Sequence, residues 1–247
     1  MSGSVLRDII RGVTDLIYPP SCILCSADLS LDDCPFQICL PCQVLFAPNH
    51  PPFCRRCSRH LENPSVPYCR ACQRRPFHFD LAWAACEYNG VMKHAIHLFK
   101  YGQKTALRRH FAGLIMSFLR AYRIDLSGYD RLCPVPLSPT RMRERTFNQA
   151  ALLARELAPF LGVPLDEKLL QRRRNTKNQA KLSPKDRWTN IRGAFTIRNS
   201  SALNGQNILI LDDLLTTGAT ASEAALALKQ AGANRVGVLT LSIAEFN

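Results

Sequence analysis

Two sets of residues in this chain have the types and spacing to do chemistry. The first lies in the run Ile208-Leu209-Ile210-Leu211-Asp212-Asp213-Leu214-Leu215-Thr216-Thr217-Gly218-Ala219-Thr220. Exposed N–H groups at a strand-to-helix turn, backed by the positive end of the helix dipole, make an anion site. Thr216, Thr217, Gly218, Ala219 and Thr220 have the composition for it: hydroxyl donors, and a glycine that lets the backbone approach a phosphate closely. Carboxylates do not bind phosphate. Asp212 and Asp213 must therefore serve something beside it, such as sugar hydroxyls, a metal ion or a developing cation.

The second set is eight cysteines in four Cys-x-x-Cys pairs: Cys22/Cys25, Cys39/Cys42, Cys54/Cys57 and Cys69/Cys72, separated by 13, 11 and 11 residues. One such pair presents two thiolates to a metal, and two pairs complete a tetrahedral four-cysteine site. Four pairs in series argue for two structural zinc sites over disulfides or thioredoxin-like redox chemistry. Joining successive pairs is the simplest arrangement. A cross-braced one, first with third and second with fourth, also fits the spacing. Cys34 reads as a spare thiol, and four complete pairs leave no vacancy for His50, His60 or His78.

These groups need elements to hold them. Ile208–Leu211 reads as a buried parallel strand ended by the acidic pair, and Ala219–Gln230 as the helix after the turn. Further strands are expected over Leu81–Tyr88, Arg131–Val135 and Arg235–Ser242, the strand before the acidic pair starting at Asn207. Helices are expected over Val91–Tyr101, Ala106–Tyr122 and Phe147–Leu161, the last stopped by Gly162-Val163-Pro164. This alternation predicts an α/β domain, a parallel sheet flanked by helices, with ligands outside the carboxyl ends of its strands. Residues 1–80 differ. They are rich in turn formers such as Pro19-Pro20, Asn49-His50-Pro51-Pro52 and Asn63-Pro64, so metal must supply much of their folding energy. The expected division is therefore 1–80, an amphipathic helix over residues 5–17 plus a module of two four-cysteine zinc sites, and 81–247, the α/β domain. No run of 18 apolar residues is present and the N-terminus lacks a basic-then-apolar leader, so a cytoplasmic protein without membrane insertion is expected.

The net charge of +13 is unevenly placed: 24 of the 32 Lys/Arg, against 12 of the 19 Asp/Glu, follow residue 80. That imbalance suits a polyanionic ligand. Three basic segments stand near the expected sheet edge. Pro134 to Gln149 follows a strand, opens a helix and holds Arg141, Arg143 and Arg145; arginine forks bind phosphate bidentately. Residues 168–192 hold nine Lys/Arg against one acid, Asp186, with Arg174 among them; such a loop is expected not to pack as a core but to be mobile or to lie on an anion. Lys100 lies in a third, the basic turn Phe99-Lys100-Tyr101-Gly102-Gln103-Lys104.

The run around Asp212-Asp213 resembles the phosphoribosyl-pyrophosphate (PRPP) motif of type I phosphoribosyltransferases. With the cysteine pairs, Phe99-Lys100-Tyr101-Gly102, Val135-Pro136, Arg145-Thr146-Phe147-Asn148-Gln149, Gln179, Arg187 and Asn190-Ile191-Arg192-Gly193-Ala194-Phe195, nearly the whole chain resembles the ComF family. Thr146 departs from the family pattern, which usually has Gly there. The resemblance implies a type I phosphoribosyltransferase-like sheet preceded by a double zinc ribbon, and an association with natural transformation, the uptake of single-stranded DNA. It further implies that Thr216–Thr220 hold a 5-phosphate and that Asp212 and Asp213 lie by the ribose. Arg141 or Arg143 would meet pyrophosphate, and Arg172–Gln179 would close over PRPP.

Displacing pyrophosphate from an anomeric carbon needs cations on the leaving group, carboxylates near the cationic ribose and exclusion of water. Mg²⁺ would arrive with PRPP, bridging its oxygens and keeping several waters. The acceptor is not legible: no base-reading constellation stands out, and no C-terminal hood is expected after the last strand. Phe99 and Tyr101 could stack on a base, although such residues more often pack. Two other functions fit the same residues. One is a non-catalytic adaptor whose basic loops follow single-stranded DNA and whose zinc module extends the track or docks a helicase-like partner. The other is a PRPP-sensing regulator.

Overall fold

Asn207–Leu215 is the strand on which the fold turns. In a computed structural model, which describes residues 20–29, 36–174, 183–198 and 203–245, six strands and eight helices are formed among the described residues. The helix expected over residues 5–17, Cys34 and residues 175–182 with Gln179 lie outside them.

The chain divides into two compact units, Met1–Phe46 and Ala47–Asn247. The first holds the first two cysteine pairs and a short helix, α1 (Leu40–Gln43). The second holds the other two pairs, with α2 (Arg70–Arg74), and the whole sheet. The expected division at 80/81 differs from this one for a packing reason. Cys54, Cys57, Leu61, Cys72, Phe77 and Phe79 share one buried cluster with residues of the sheet and of the helix after the acidic pair.

Four parallel strands make the main sheet: β1 (Leu81–Glu87), β2 (Arg131–Pro134), β5 (Asn207–Leu215) and β6 (Arg235–Ile243), in the order β1-β6-β5-β2. A short antiparallel pair, β3 (Leu170–Arg172) and β4 (Phe195–Ile197), stands apart from it. The remaining helices are α3 (Gly90–Tyr101), α4 (Leu107–Ala121), α5 (Pro139–Arg145), α6 (Gln149–Leu161), α7 (Pro184–Ile191) and α8 (Ala219–Gln230). Strand side chains alternate between faces. Ile208 and Ile210 of β5 join Val236 and Val238 of β6 against Ala221, Ala224, Ala225 and Leu228 of α8. The intervening Leu209 and Leu211 are also buried, on the face where α6 meets β5 and α4 meets β6. Burial on both faces is why the strand reads as an unbroken apolar run.

Two expectations need correcting. The acidic pair does not end its strand: β5 continues through Asp212 and Asp213 to Leu215, so the two carboxylates leave on opposite faces. The basic segment 168–192 is not wholly without a core. Leu169, Leu170 and Ile191 are buried, and the β3–β4 pair anchors its ends. The expected helix stop holds, with Gly162 in the left-handed region at φ 66°. Thr146 also sits there, at φ 64°, a conformation that strains a β-branched residue and that glycine adopts freely.

Candidate functional site

The turn after β5 leaves three successive backbone N–H groups unused. The N–H groups of Thr216, Thr217 and Gly218 donate to no backbone carbonyl among the described residues. The first turn of α8 then starts with Ser222 N donating to Gly218 O. Gly218 has φ 75°, and a Cβ there would lie 2.5 Å from Phe77 Cε1. Phe77 itself stacks on Phe79 at 4.7 Å and on Trp188 at 5.8 Å. The glycine is thus required twice, by its backbone and by an aromatic ring packed beneath the turn. Gly218→Ala should cost about 2–4 kcal/mol in denaturant unfolding, from left-handed strain plus the clash. The companion Phe77→Leu should recover the steric part, and a purely additive double-mutant cycle would contradict this packing.

A cleft of about 470 Å³ opens beside this turn at the carboxyl ends of β2 and β5. Thr216, Thr220, Asp212 and Asp213 line it from the β5 side, and Val135, Pro136, Leu137 and Arg141 from the β2 side. Ser138 places α5 by accepting from Arg141 N, with Pro139 in the first turn. Asn148 caps α6 by accepting from Ala150 N and ties the cap to β2 by donating to Val135 O at 3.0 Å.

The cleft is strongly cationic. Lys93, Lys100, Arg141, Arg145, Arg172 and Arg187 line it against two carboxylates. Lys100 Nζ lies 2.6 Å from Asp213 Oδ2, an ion pair largely shielded from water. Arg145 is buried, donates to Gln149 Oε1 and Tyr101 Oη, and lies over the Tyr101 ring. Burial, and then the neighbouring Arg145, lower the Arg141 pKa. Arg172 is pushed down to about 10, by burial first and then by Arg141. Such crowding of like charge is unfavourable until an anion occupies it. Asp212 is pushed up to about 7 by burial and by the Asp213 charge, against the pull of Lys100. The buried Gln149 leaves its side-chain nitrogen without a hydrogen-bond partner among the described residues, at the cleft wall.

The structure brings together part of the expected residue set. Asp212, Asp213, Thr216, Thr220, Arg141 and Lys100 meet in the cleft. Thr217, Gly218 and Ala219 are buried within the turn, where Ala219 N lies 3.4 Å from Thr217 Oγ1. Two expected residues are not at the cleft. Arg143 is exposed on α5, because residues two apart on a helix point to opposite sides while Arg141 and Arg145 share a face. Arg174 donates to Asn190 O and Arg192 O, which bind it to the neighbouring chain segment. Arg145, four residues after Arg141, was legible from that period. Lys93 and His97 share one face of α3 with Lys100 by the same period. The resemblance placed Arg172 in the segment that closes over PRPP, whereas no spacing marks Arg187 or Tyr88. Phe99 is core, packed on Phe111 and Phe147, whereas Tyr101 lines the cleft.

The cysteines resolve into successive pairs: Cys22, Cys25, Cys39 and Cys42 form one cluster, Cys54, Cys57, Cys69 and Cys72 the other. Within each, all sulfurs lie within 4.8 Å of one another, and Cys25–Cys39, Cys54–Cys72 and Cys57–Cys69 approach to 3.6 Å. Zn–S bonds of about 2.3 Å in a tetrahedron require sulfur separations of about 3.8 Å, so both clusters fit structural zinc. No helix among the described residues is long and apolar enough to cross a membrane.

Two family models match the chain, a double zinc ribbon domain over residues 13–73 and a phosphoribosyl transferase domain over residues 148–242. The chain is 31% identical over 228 residues to the DNA utilization protein YhgH of Salmonella typhimurium, covering 92% of this chain and 98% of that protein. It is 27% identical over 196 residues to Competence protein F of Haemophilus influenzae, covering 77% and 84%. It is 35% identical over 146 residues to Competence protein ComFC of Bacillus subtilis, covering 59% and 56%. The match to YhgH spans ribbons, cleft and sheet together, and with the two domain models it places the chain in the competence-associated ComF family, which joins a double zinc ribbon to a phosphoribosyltransferase domain.

Proposed function

We propose that the cleft binds PRPP with Mg²⁺ and acts on the phosphoribosyl group, in a protein that serves DNA uptake during natural transformation. The observation that carries this reading is the meeting, in one cleft, of an open N–H turn, an adjacent pair of carboxyl groups and a wall of arginines. The turn takes the 5-phosphate. Arg141, Arg145 and Arg172 face the pyrophosphate and favour its departure. Asp212 stands by the ribose, where a carboxylate stabilises the cationic character that develops at the anomeric carbon. Asp213 is tied to Lys100, so the two carboxylates do not form a cage for a metal ion. Mg²⁺ would arrive with PRPP rather than on a dedicated protein site, and would supply charge neutralisation on the leaving group.

Calorimetric titration of the zinc-loaded protein with PRPP and Mg²⁺ tests the reading. Saturable binding is expected, and its absence from folded protein overturns it. Arg141→Ala should weaken binding at least about tenfold, the value of a charge-assisted contact. Arg143→Ala, on the exposed side of α5, should change it less than about twofold. The two substitutions together separate a directional site from a general basic surface.

A single-stranded DNA track is the second reading. The excess of basic residues after residue 80 favours it, as do relatives named for DNA utilization and competence. It predicts DNA binding whose affinity falls steeply with salt. Asp212→Asn with Asp213→Asn separates the two: the track predicts improved DNA binding, and the PRPP site predicts loss of PRPP binding.

A further inference from the structure

The two ribbons repeat one design and differ at a residue that reaches the phosphate turn. In each, the first cysteine N–H donates to a carbonyl five residues on, Cys22 to Ala27 and Cys54 to Arg59. In each, a serine follows the second cysteine in the left-handed region, Ser26 at φ 61° and Ser58 at φ 63°. In each, the third cysteine N–H donates to the first sulfur, Cys39 to Cys22 at 3.4 Å and Cys69 to Cys54 at 3.3 Å. The repeat therefore aligns Ala27 with Arg59. Alanine satisfies the ribbon as a ribbon, so the arginine serves something outside it.

Arg59 is 8% exposed. Its Nη1 lies 3.6 Å from Cys57 Sγ and 4.0 Å from Cys69 Sγ. Its Nη2 donates to Thr216 O and Ala244 O, both at 2.9 Å, and its Nε donates to Ala244 O at 3.1 Å. One guanidinium thus joins two metal-ligand sulfurs to the first peptide of the phosphate turn and to the segment after β6. Four thiolates around Zn²⁺ carry a net charge of 2−, which a buried guanidinium offsets while its N–H groups orient the sulfurs. A trans peptide is planar, with C=O and N–H pointing opposite ways. A Thr216 carbonyl drawn to Arg59 turns the Thr217 N–H away from the cysteine cluster. N–H groups facing that cluster could not reach an anion in the cleft.

We propose that Arg59 is a positioning residue that couples the second zinc site to the phosphate turn. Zinc held by Cys54, Cys57, Cys69 and Cys72 fixes the guanidinium, and the guanidinium fixes the Thr216–Thr217 peptide and Ala244. The identity of the anion as PRPP rests on the function proposed above; the mechanical link does not.

The test compares full-length, zinc-loaded wild type, Arg59→Gln and Arg59→Lys. It measures zinc content, amide hydrogen exchange and calorimetric binding of PRPP with Mg²⁺. The reporting amides are Ser222, bonded to Gly218 O, and Ala244, bonded to Leu215 O, which flank the carbonyls that Arg59 holds. Arg59→Gln should keep both zinc ions, speed exchange at these two amides about tenfold with α4 unchanged, and weaken PRPP about tenfold, as removal of an outer-shell partner does. Arg59→Lys keeps the charge but cannot span both carbonyls and the sulfurs, so it should fall between. Removing the second zinc by Cys69→Ser should also speed exchange at these two amides, and by less in the Arg59→Gln background than in wild type. Unchanged exchange in Arg59→Gln with both zinc ions bound overturns the coupling. Wild type that binds no PRPP overturns the functional reading instead, and the exchange data still decide the link. If Arg59→Gln does not fold, Arg59→Lys carries the same comparison.

Discussion

Replacing Cys72 by serine should release one of two zinc equivalents and lower the thermal midpoint of the sheet-bearing unit by about 10 °C, the consequence of roughly 4 kcal/mol in a unit of this size. Cys72 is buried in the same cluster as Cys54, Cys57 and Leu61, and that cluster continues through Phe77 and Phe79 to Ala82 and Ala84 of β1 and Ala221 of α8. A metal that binds only the folded chain contributes its binding energy to folding. Loss of that energy reaches the sheet because the core is shared. Cys42→Ser should also release one equivalent, but the first cluster belongs to the compact unit Met1–Phe46. Its loss should leave the main transition within about 1 °C, since the buried cluster that unites the second ribbon with the sheet contains none of its cysteines. Zinc stoichiometry with scanning calorimetry reads both. Equal shifts from the two substitutions would show that the ribbons contribute to stability alike, against the shared core.

Asp212→Asn should stabilise the protein at pH 8 while abolishing PRPP binding. Burial and the Asp213 charge raise the Asp212 pKa from its ordinary 3.8 to about 7. The folded state therefore holds a proton that the unfolded state has released across that interval. A raised pKa contributes stability that is fully present below the unfolded value and lost as pH rises through the folded one. Asparagine mimics the protonated form and keeps that contribution at every pH. The gain of the variant over wild type should be near zero at pH 4, grow toward pH 7 and level off above it, at about 2 kcal/mol after discounting for water at the cleft. Denaturant midpoints at half-unit pH steps measure it. A gain that is flat with pH would mean the carboxyl is not the titrating group. A stabilised protein that no longer binds its ligand is the expected mark of a residue kept for function at a cost in stability.

Much of the fold was legible because it is written in local periods. Apolar runs located β1, β2, β5 and β6, amphipathic spacing located α3, α4 and α6, and Gly162-Val163-Pro164 marked a helix end. The extent of β5 was not legible. Asp212 and Asp213 look like strand terminators, but the ladder to Thr240, Ser242 and Ile243 of β6 carries the strand past them. Nor was the packing of the second ribbon on the sheet, because both ribbons are built from two Cys-x-x-Cys pairs and those pairs do not encode what Cys54, Cys57 and Cys72 are buried against.

The sequence by itself determined the chemistry on offer: thiols spaced for two zinc sites, a glycine-bearing threonine turn for a phosphate, and two carboxylates beside it. Those are properties of short segments, in which residue type and spacing along one element suffice. Tertiary structure alone decided which groups meet. It chose successive over cross-braced cysteine pairs and drew Lys100 of α3 onto Asp213 of β5. It brought Arg172 and Arg187 to the cleft and set Arg59 between a zinc site and Thr216. Each of these joins elements far apart in the chain, and their meeting is fixed by how helices and ribbons pack on the sheet, which no local period encodes.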